Sequence, residues 1–154
     1  MNTVDHHPIV ILLADDDEDD RMLTADALRL SRLANDFRTV NDGEDLMDYL
    51  HHRGRHAPPD SSPRPGLVLL DLNMPRKDGR EALREMKADP SLRSIPVVIL
   101  TTSSADADVE GTYDLGANSF IAKPVTFNGL VEALRVATEY WFQVVQLPTG
   151  PKEP

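Results

Sequence analysis

Residues 67–79 read Leu67-Val68-Leu69-Leu70-Asp71-Leu72-Asn73-Met74-Pro75-Arg76-Lys77-Asp78-Gly79. An uninterrupted apolar run ended by an acid is what a short strand covered on both faces looks like. Met74-Pro75 follows, and Asp78-Gly79 opens a helix. The same grammar recurs outward along the chain. Ile9–Ala14, Phe37–Val40, Val97–Leu100 and Ser119–Ala122 also read as strands. Between them lie helical stretches. Leu23, Ala27, Leu30 and Ala34 fall at helical spacing, and Asp42–His51, Asp78–Ala88, Ala105–Gly116 and Thr126–Gln146 are the other helix candidates. Strands alternating with helices predict an α/β fold, a doubly wound (βα)5 domain with a central five-stranded parallel sheet and right-handed crossovers.

Asn41-Asp42-Gly43 reads as a turn that caps the second helix, and Pro90 and Pro96 bracket the loop before the fourth strand. Residues 54–66, with four prolines, read as a polar surface loop without a packing signal. Residues 1–8 and 148–154 read as mobile tails around a single domain at 9–147. A chain of 154 residues is long enough for one real core. There is no run of about 18 apolar residues to cross a membrane, no signal-peptide pattern and no cysteine. These features predict a cytoplasmic protein without disulfide, thiolate or cysteine-nucleophile chemistry. With 26 acidic against 16 basic residues the net charge is −10, which argues against broad nucleic-acid binding.

In an open parallel sheet, sites form beyond the carboxyl ends of the strands. There the first strand is followed by six acids, Asp15 to Asp20; the third ends at Asp71, with Asn73 two residues on; the fourth is followed by Thr101 and Thr102; the fifth by Lys123-Pro124. Taken singly, each has a plainer explanation: a solvated helix cap, a turn residue, a Ser/Thr cap, a surface turn. Their convergence on one sheet edge is what points to chemistry. Asp15, Asp16 and Asp71 in one cleft repel, and a divalent cation relieves the conflict. Oxygen-only ligands favour Mg²⁺. Lys123 adds a second positive charge and Thr101 a hydroxyl donor. Such a site suits phosphoryl transfer to a carboxylate, with Asp71, held by an apolar strand, as the nucleophile.

These motifs resemble the receiver domain of two-component response regulators: ILLADDDEDD for the acidic pair, LVLLDLNMPRKDG around the acceptor, VVILTTSS for the hydroxyl and FIAKP for the lysine. The resemblance covers about residues 8–147. It implies a CheY-like, flavodoxin-like fold with strand order 2-1-3-4-5, and a chain that accepts a phosphoryl group from a phosphohistidine rather than turning over a substrate. By the same resemblance Asp71 is the phospho-acceptor, and Asp15, Asp16, Asp71 and the Asn73 carbonyl hold Mg²⁺. Thr101 bonds a phosphoryl oxygen, Lys123 forms its salt bridge, and Thr101 and Phe120 form the switch. Phe120 stands where relatives often carry Tyr, so no tyrosine hydroxyl takes part in this switch. Asp17 to Asp20 have no match and keep the helix-cap reading. The phrase RPGLVLLDLNMPRKDGREALREMK and the ending YWFQVVQLP are similar to stand-alone response regulators that serve bacterial phytochrome histidine kinases. The resemblance therefore implies a sensor histidine kinase, of bacteriophytochrome type, as partner, with a downstream phosphotransfer or effector protein as a second. With fewer than ten residues expected after the last helix, the reading predicts a receiver without a DNA-binding output domain.

Helix four carries Gly111 and Thr112 and reads as the soft element that the signal would move. The last helix carries more apolar residues than one core needs. Tyr140, Trp141, Val144 and Leu147 are expected to form a homodimer or partner face. The five histidines read as solvated surface groups. The competing reading is a Mg²⁺-dependent phosphatase of the haloacid dehalogenase type with Asp71 as nucleophile. That class resembles DxDx(T/V), whose second acid is a proton donor; Asn73 occupies that place here and cannot serve.

Overall fold

The computed structural model describes residues 9–30, 35–58, 62–102 and 106–140. They form β1 (Ile9–Ala14), α1 (Glu18–Leu30), β2 (Asn35–Val40), α2 (Gly43–Leu50), a 3₁₀ turn (Gly54–His56), β3 (Leu67–Leu70), α3 (Gly79–Ala88), β4 (Val97–Thr101), α4 (Asp106–Asp114), β5 (Ser119–Ala122) and α5 (Phe127–Glu139). The sheet is five-stranded and parallel, in the order β2-β1-β3-β4-β5. This is the doubly wound fold that the alternation predicts.

Strand periodicity divides the core in two. Leu12, Ala14, Val68, Leu70, Val97 and Ile99 face one side, with α2 and α3 supplying Leu46, Met47, Ala82, Leu83 and Met86. Ile11, Leu13, Leu67, Leu69, Val98 and Leu100 face the other, against Ala27 and Leu28 of α1 and Leu130 and Leu134 of α5. Burial on both faces accounts for the apolar runs in β1, β3 and β4. The expected caps are present: the side chain of Asp42 accepts from the Asp45 amide, and that of Asp78 from the amides of Arg80 and Glu81.

Several local expectations are corrected. The buried stripe of α1 is Thr24, Ala27 and Leu28, whereas Leu23 and Leu30 are 42% and 58% exposed. Thr24 and Ala27 are small enough to let α1 lie close to α5, which turns the bulkier leucines to its flanks; Ala34 lies outside the described residues. β2 begins at Asn35, two residues early, because an edge strand tolerates the polar pair Asp36 and Arg38, joined at 2.8 Å. β4 runs on through Thr101, which pairs with Ala122.

Among its described residues, 54–58 and 62–66, the Pro-rich segment is partly packed rather than a bare surface loop. His56 is buried, sits edge-on to Tyr49 with ring centroids 5.1 Å apart, and places Nε2 2.9 Å from Asp45 Oδ1. The Tyr49 hydroxyl donates to the Pro63 carbonyl at 2.7 Å, and Ser62 is buried. The surface assignment therefore fails for His56. Residues 1–8 and 141–154 lie outside the described residues, and with them the tails, Trp141, Val144, Leu147 and the expected extension of the last helix to Gln146.

Candidate functional site

The parallel sheet delivers the ends of β1, β3, β4 and β5 to one edge. Backbone bonds carry the ladder past the strands: Asp15 N–H donates to Val40, Asp71 N–H to Ala14, and Lys123 N–H to Thr101, at 2.8–3.2 Å. Side chains at these positions are therefore held by the sheet itself. Asp71 is seated more tightly still, because the start of α3 crosses directly beneath it. A Cβ on Gly79 would stand 2.3 Å from the Asp71 carbonyl oxygen.

Asp15, Asp71 and Thr101 are buried, while Asp16 is exposed. Thr101 Oγ1 donates to Asp71 Oδ1 at 2.8 Å, and the Asn73 amide donates to the same oxygen at 3.3 Å. Lys123 Nζ lies 2.7 Å from Asp15 Oδ2, 3.0 Å from Asp20 Oδ2 and 3.9 Å from Asp71 Oδ2. The predicted acidic pair, acceptor, hydroxyl and lysine are thus brought together. Phe120 lies on β5, half-buried against the core cluster of the α2–α3 face. Tyr140 is half-exposed at the end of α5, in an apolar groove with Ile121, Val136 and Ala137.

Burial pushes the Asp15 carboxyl above its ordinary range, and its bonds to Lys123 and the Asp17 amide only partly offset that. For Lys123, burial acts to lower the pKa, but Asp15, Asp20 and Asp71 outweigh it and leave the ammonium more firmly protonated. One carboxylate oxygen each from Asp15, Asp16 and Asp71 lies within 4.8 Å of the others, so together they could hold a metal ion. The fit to a hard divalent cation is good. The donors are all oxygen, and Asp15, Asp20 and Asp71 share the one ammonium of Lys123.

Two features lie beyond the sequence reading, the contact of Asp20 with Lys123 and a bond between α3 and α4. Asp17 is the cap of α1, its side chain accepting from the amides of Asp19 and Asp20, as the helix-cap reading requires. Asp20 departs from that reading and reaches Lys123. The only signal for this is that Asp20 stands four residues before the buried Thr24, on the same helix face. Arg80 of α3 also donates to Asp108 of α4 at 2.6 Å, joining two neighbouring helices.

Comparison with known proteins agrees with this geometry. Residues 11–135 match the response regulator receiver domain. Response regulator Rcp1 of Synechocystis sp. is 38% identical over 150 residues, covering 97% of this chain and all of that one. The crystal structure of Mn²⁺-bound Rcp1 superposes with a TM-score of 0.84 at 39% identity, covering 92% of this chain and 100% of that one. That of the phosphorylated cyanobacterial phytochrome response regulator RcpA gives 0.85 at 39%, covering 93% and 100%. The bacteriophytochrome response regulator RtBRR gives 0.73 at 37%, covering 93% and 86%. Nothing in these likenesses favours a phosphatase. Among the described residues, no helix is long and apolar enough to cross a membrane. The chain belongs to the response regulator receiver family and is related to the response regulators of phytochromes.

Proposed function

We propose that Asp71 accepts a phosphoryl group from the phosphohistidine of a sensor histidine kinase, of bacterial phytochrome type, in the cytoplasm. The observation that carries this is the buried contact between Thr101 Oγ1 and Asp71 Oδ1, with Lys123 Nζ 3.9 Å from the second carboxylate oxygen. In the transfer an Asp71 carboxylate oxygen attacks phosphorus, a P–O bond forms, and the P–N bond to the donor imidazole breaks. The imidazole nitrogen keeps the electron pair and takes a proton from water.

Asp15, Asp16, Asp71 and the Asn73 carbonyl would hold Mg²⁺, which supplies charge neutralisation for the incoming phosphoryl oxygens. Thr101 then turns its hydroxyl from the carboxylate to a phosphoryl oxygen, and Lys123 pairs with another. Phe120, next to the loops that follow these groups, changes its packing. Leu23, Val125 and Phe127 are exposed apolar side chains lining the cleft beside Lys123. They offer the phosphodonor an apolar rim next to the acceptor. The likeness to phytochrome response regulators supports a kinase partner of phytochrome type.

Output is by protein contact. The exposed Val136 and Tyr140 at the end of α5 offer a homodimer face; Trp141, Val144 and Leu147, which the sequence adds to it, lie outside the described residues. The phosphotransfer is tested by incubating wild type and Asp71→Asn with a labelled phosphohistidine kinase and Mg²⁺. Label is expected in the wild type only; label in both would remove Asp71 from the role. Sedimentation at tens of micromolar, a concentration typical of specific association, tests the dimer: a dimer is expected, and a monomer contradicts it.

A further inference from the structure

We infer that Asp20 is a positioning residue for Lys123, a counter-ion that holds the lysine back from Asp71 until a phosphoryl group takes its place. This rests on the reading of Asp71 as phospho-acceptor. Lys123 is shared by three carboxylates from three elements. Asp15 Oδ2 is 2.7 Å away, Asp20 Oδ2 3.0 Å and Asp71 Oδ2 3.9 Å. The nearer two therefore hold the ammonium, and the acceptor has only a distant share. The lysine side chain is itself 10% exposed and Asp15 is fully buried, so water does little to screen that pair, whereas Asp20 is 37% exposed and its pair is partly screened.

The two near partners are not equivalent. Asp15 belongs to the cluster whose oxygens converge within metal-binding distance; Asp20 does not. A cation bound by Asp15, Asp16 and Asp71 would draw Asp15 away from Lys123. Asp20 would then be the carboxylate still holding the ammonium, and the phosphoryl group must compete with it. Asp20 sits in the first turn of α1, whereas Lys123 follows β5. Exchange of partners thus also removes the ion pair between α1 and the loop leading to α5, beside the cleft lined by Leu23, Pro124 and Phe127.

Removing Asp20 has consequences of opposite sign at the two steps. Without Asp20, the whole ammonium falls to Asp15, so Mg²⁺ alone should bind more weakly. With Mg²⁺ saturating, no resting pair opposes movement of Lys123 to the phosphoryl mimic, so beryllofluoride should bind more tightly. One partly exposed ion pair corresponds to about two- to fivefold in affinity. A variant that merely disturbed α1 would weaken both.

The experiment is calorimetric titration of Mg²⁺, then of beryllofluoride at saturating Mg²⁺, into wild type, Asp20→Asn, Lys123→Met and the double variant, with circular dichroism to confirm folding. The inference predicts weaker Mg²⁺ binding and tighter beryllofluoride binding for Asp20→Asn, with the gain abolished in the Lys123→Met background. Unchanged affinities, weakening at both steps, or a gain that survives without Lys123 would overturn it. Asp71→Asn separates the two levels. If wild type binds beryllofluoride and Asp71→Asn does not, the acceptor reading stands whatever Asp20→Asn does. If wild type fails to bind, both readings fall.

Discussion

Thr101 Oγ1 and Asp71 Oδ1 lie 2.8 Å apart although thirty residues separate them in the chain. The bond exists because β3 and β4 are neighbours and both run out at the same edge. In the resting molecule the hydroxyl satisfies the acceptor carboxylate itself. Its proposed partner after phosphorylation is a phosphoryl oxygen, so the same hydroxyl must change acceptor.

Thr101→Val keeps the shape and removes the donor. A hydrogen bond to a charged group contributes roughly 1.5–3 kcal/mol, so urea denaturation should show a loss of about 1–2 kcal/mol, discounted for the Asn73 amide that remains on the same oxygen. Beryllofluoride binding should weaken as well. Unchanged stability together with unchanged binding would show that the hydroxyl has no part in the site.

Gly79→Ala tests how rigidly Asp71 is held. The added Cβ meets backbone, 2.3 Å from the Asp71 carbonyl oxygen and 2.8 Å from Leu72 Cα, so no side chain can move aside to make room. Overpacking of this kind costs about 1–3 kcal/mol or more. Both thermal stability and phosphorylation should fall, even though position 79 never touches the phosphoryl group. A fully stable, fully active variant would mean that α3 does not brace the acceptor.

The helices should respond unequally to phosphorylation. α3 buries Ala82, Leu83 and Met86, whereas Thr112 is the buried residue among the described side chains of α4, and a Cβ at Gly111 would meet nothing within 4 Å. On addition of Mg²⁺ and beryllofluoride, hydrogen exchange should change more in α4 than in α3. Equal changes would contradict this, and would point to the Arg80–Asp108 pair as strong enough to move the two helices together.

The packed segment after α2 predicts an acid-sensitive contribution to stability. Burial pushes the Asp45 carboxyl up, but Arg55, the Asn41 amide and His56 outweigh it and hold the pKa at about 2. A depressed carboxylate stabilises the fold above its unfolded pKa, near 3.8, and loses that contribution as pH falls toward 2. Discounted for the solvent exposure of Arg55, the wild type should exceed Asp45→Asn by about 1 kcal/mol near neutrality, and the difference should shrink between about pH 5 and pH 2. A difference independent of pH would show that Asp45 acts through packing alone.

Much of the fold and the site is legible in the order of the residues. Strands buried on both faces carry apolar runs, and the topology then requires that Asp15, Asp71, Thr101 and Lys123 meet. The rest depends on contacts that periodicity does not encode. Six acids in a row conceal which one turns inward, so Asp20 looks like its neighbours. The α1 stripe is displaced because small Thr24 and Ala27, rather than large Leu23 and Leu30, suit a close approach to α5. His56 looks solvated because its partners, Asp45 and Tyr49, lie on the preceding helix and the loop composition gives no hint of them.

The central claim is that phosphate resides on Asp71, and mapping the acyl phosphate tests it most directly. Wild type is phosphorylated by its kinase or a small acyl-phosphate donor with Mg²⁺, reduced with borohydride, digested and sequenced by mass spectrometry. Homoserine at position 71, absent from Asp71→Asn, is the predicted result. Homoserine at another acid, or unmodified Asp71 in a protein that carries label, would contradict it.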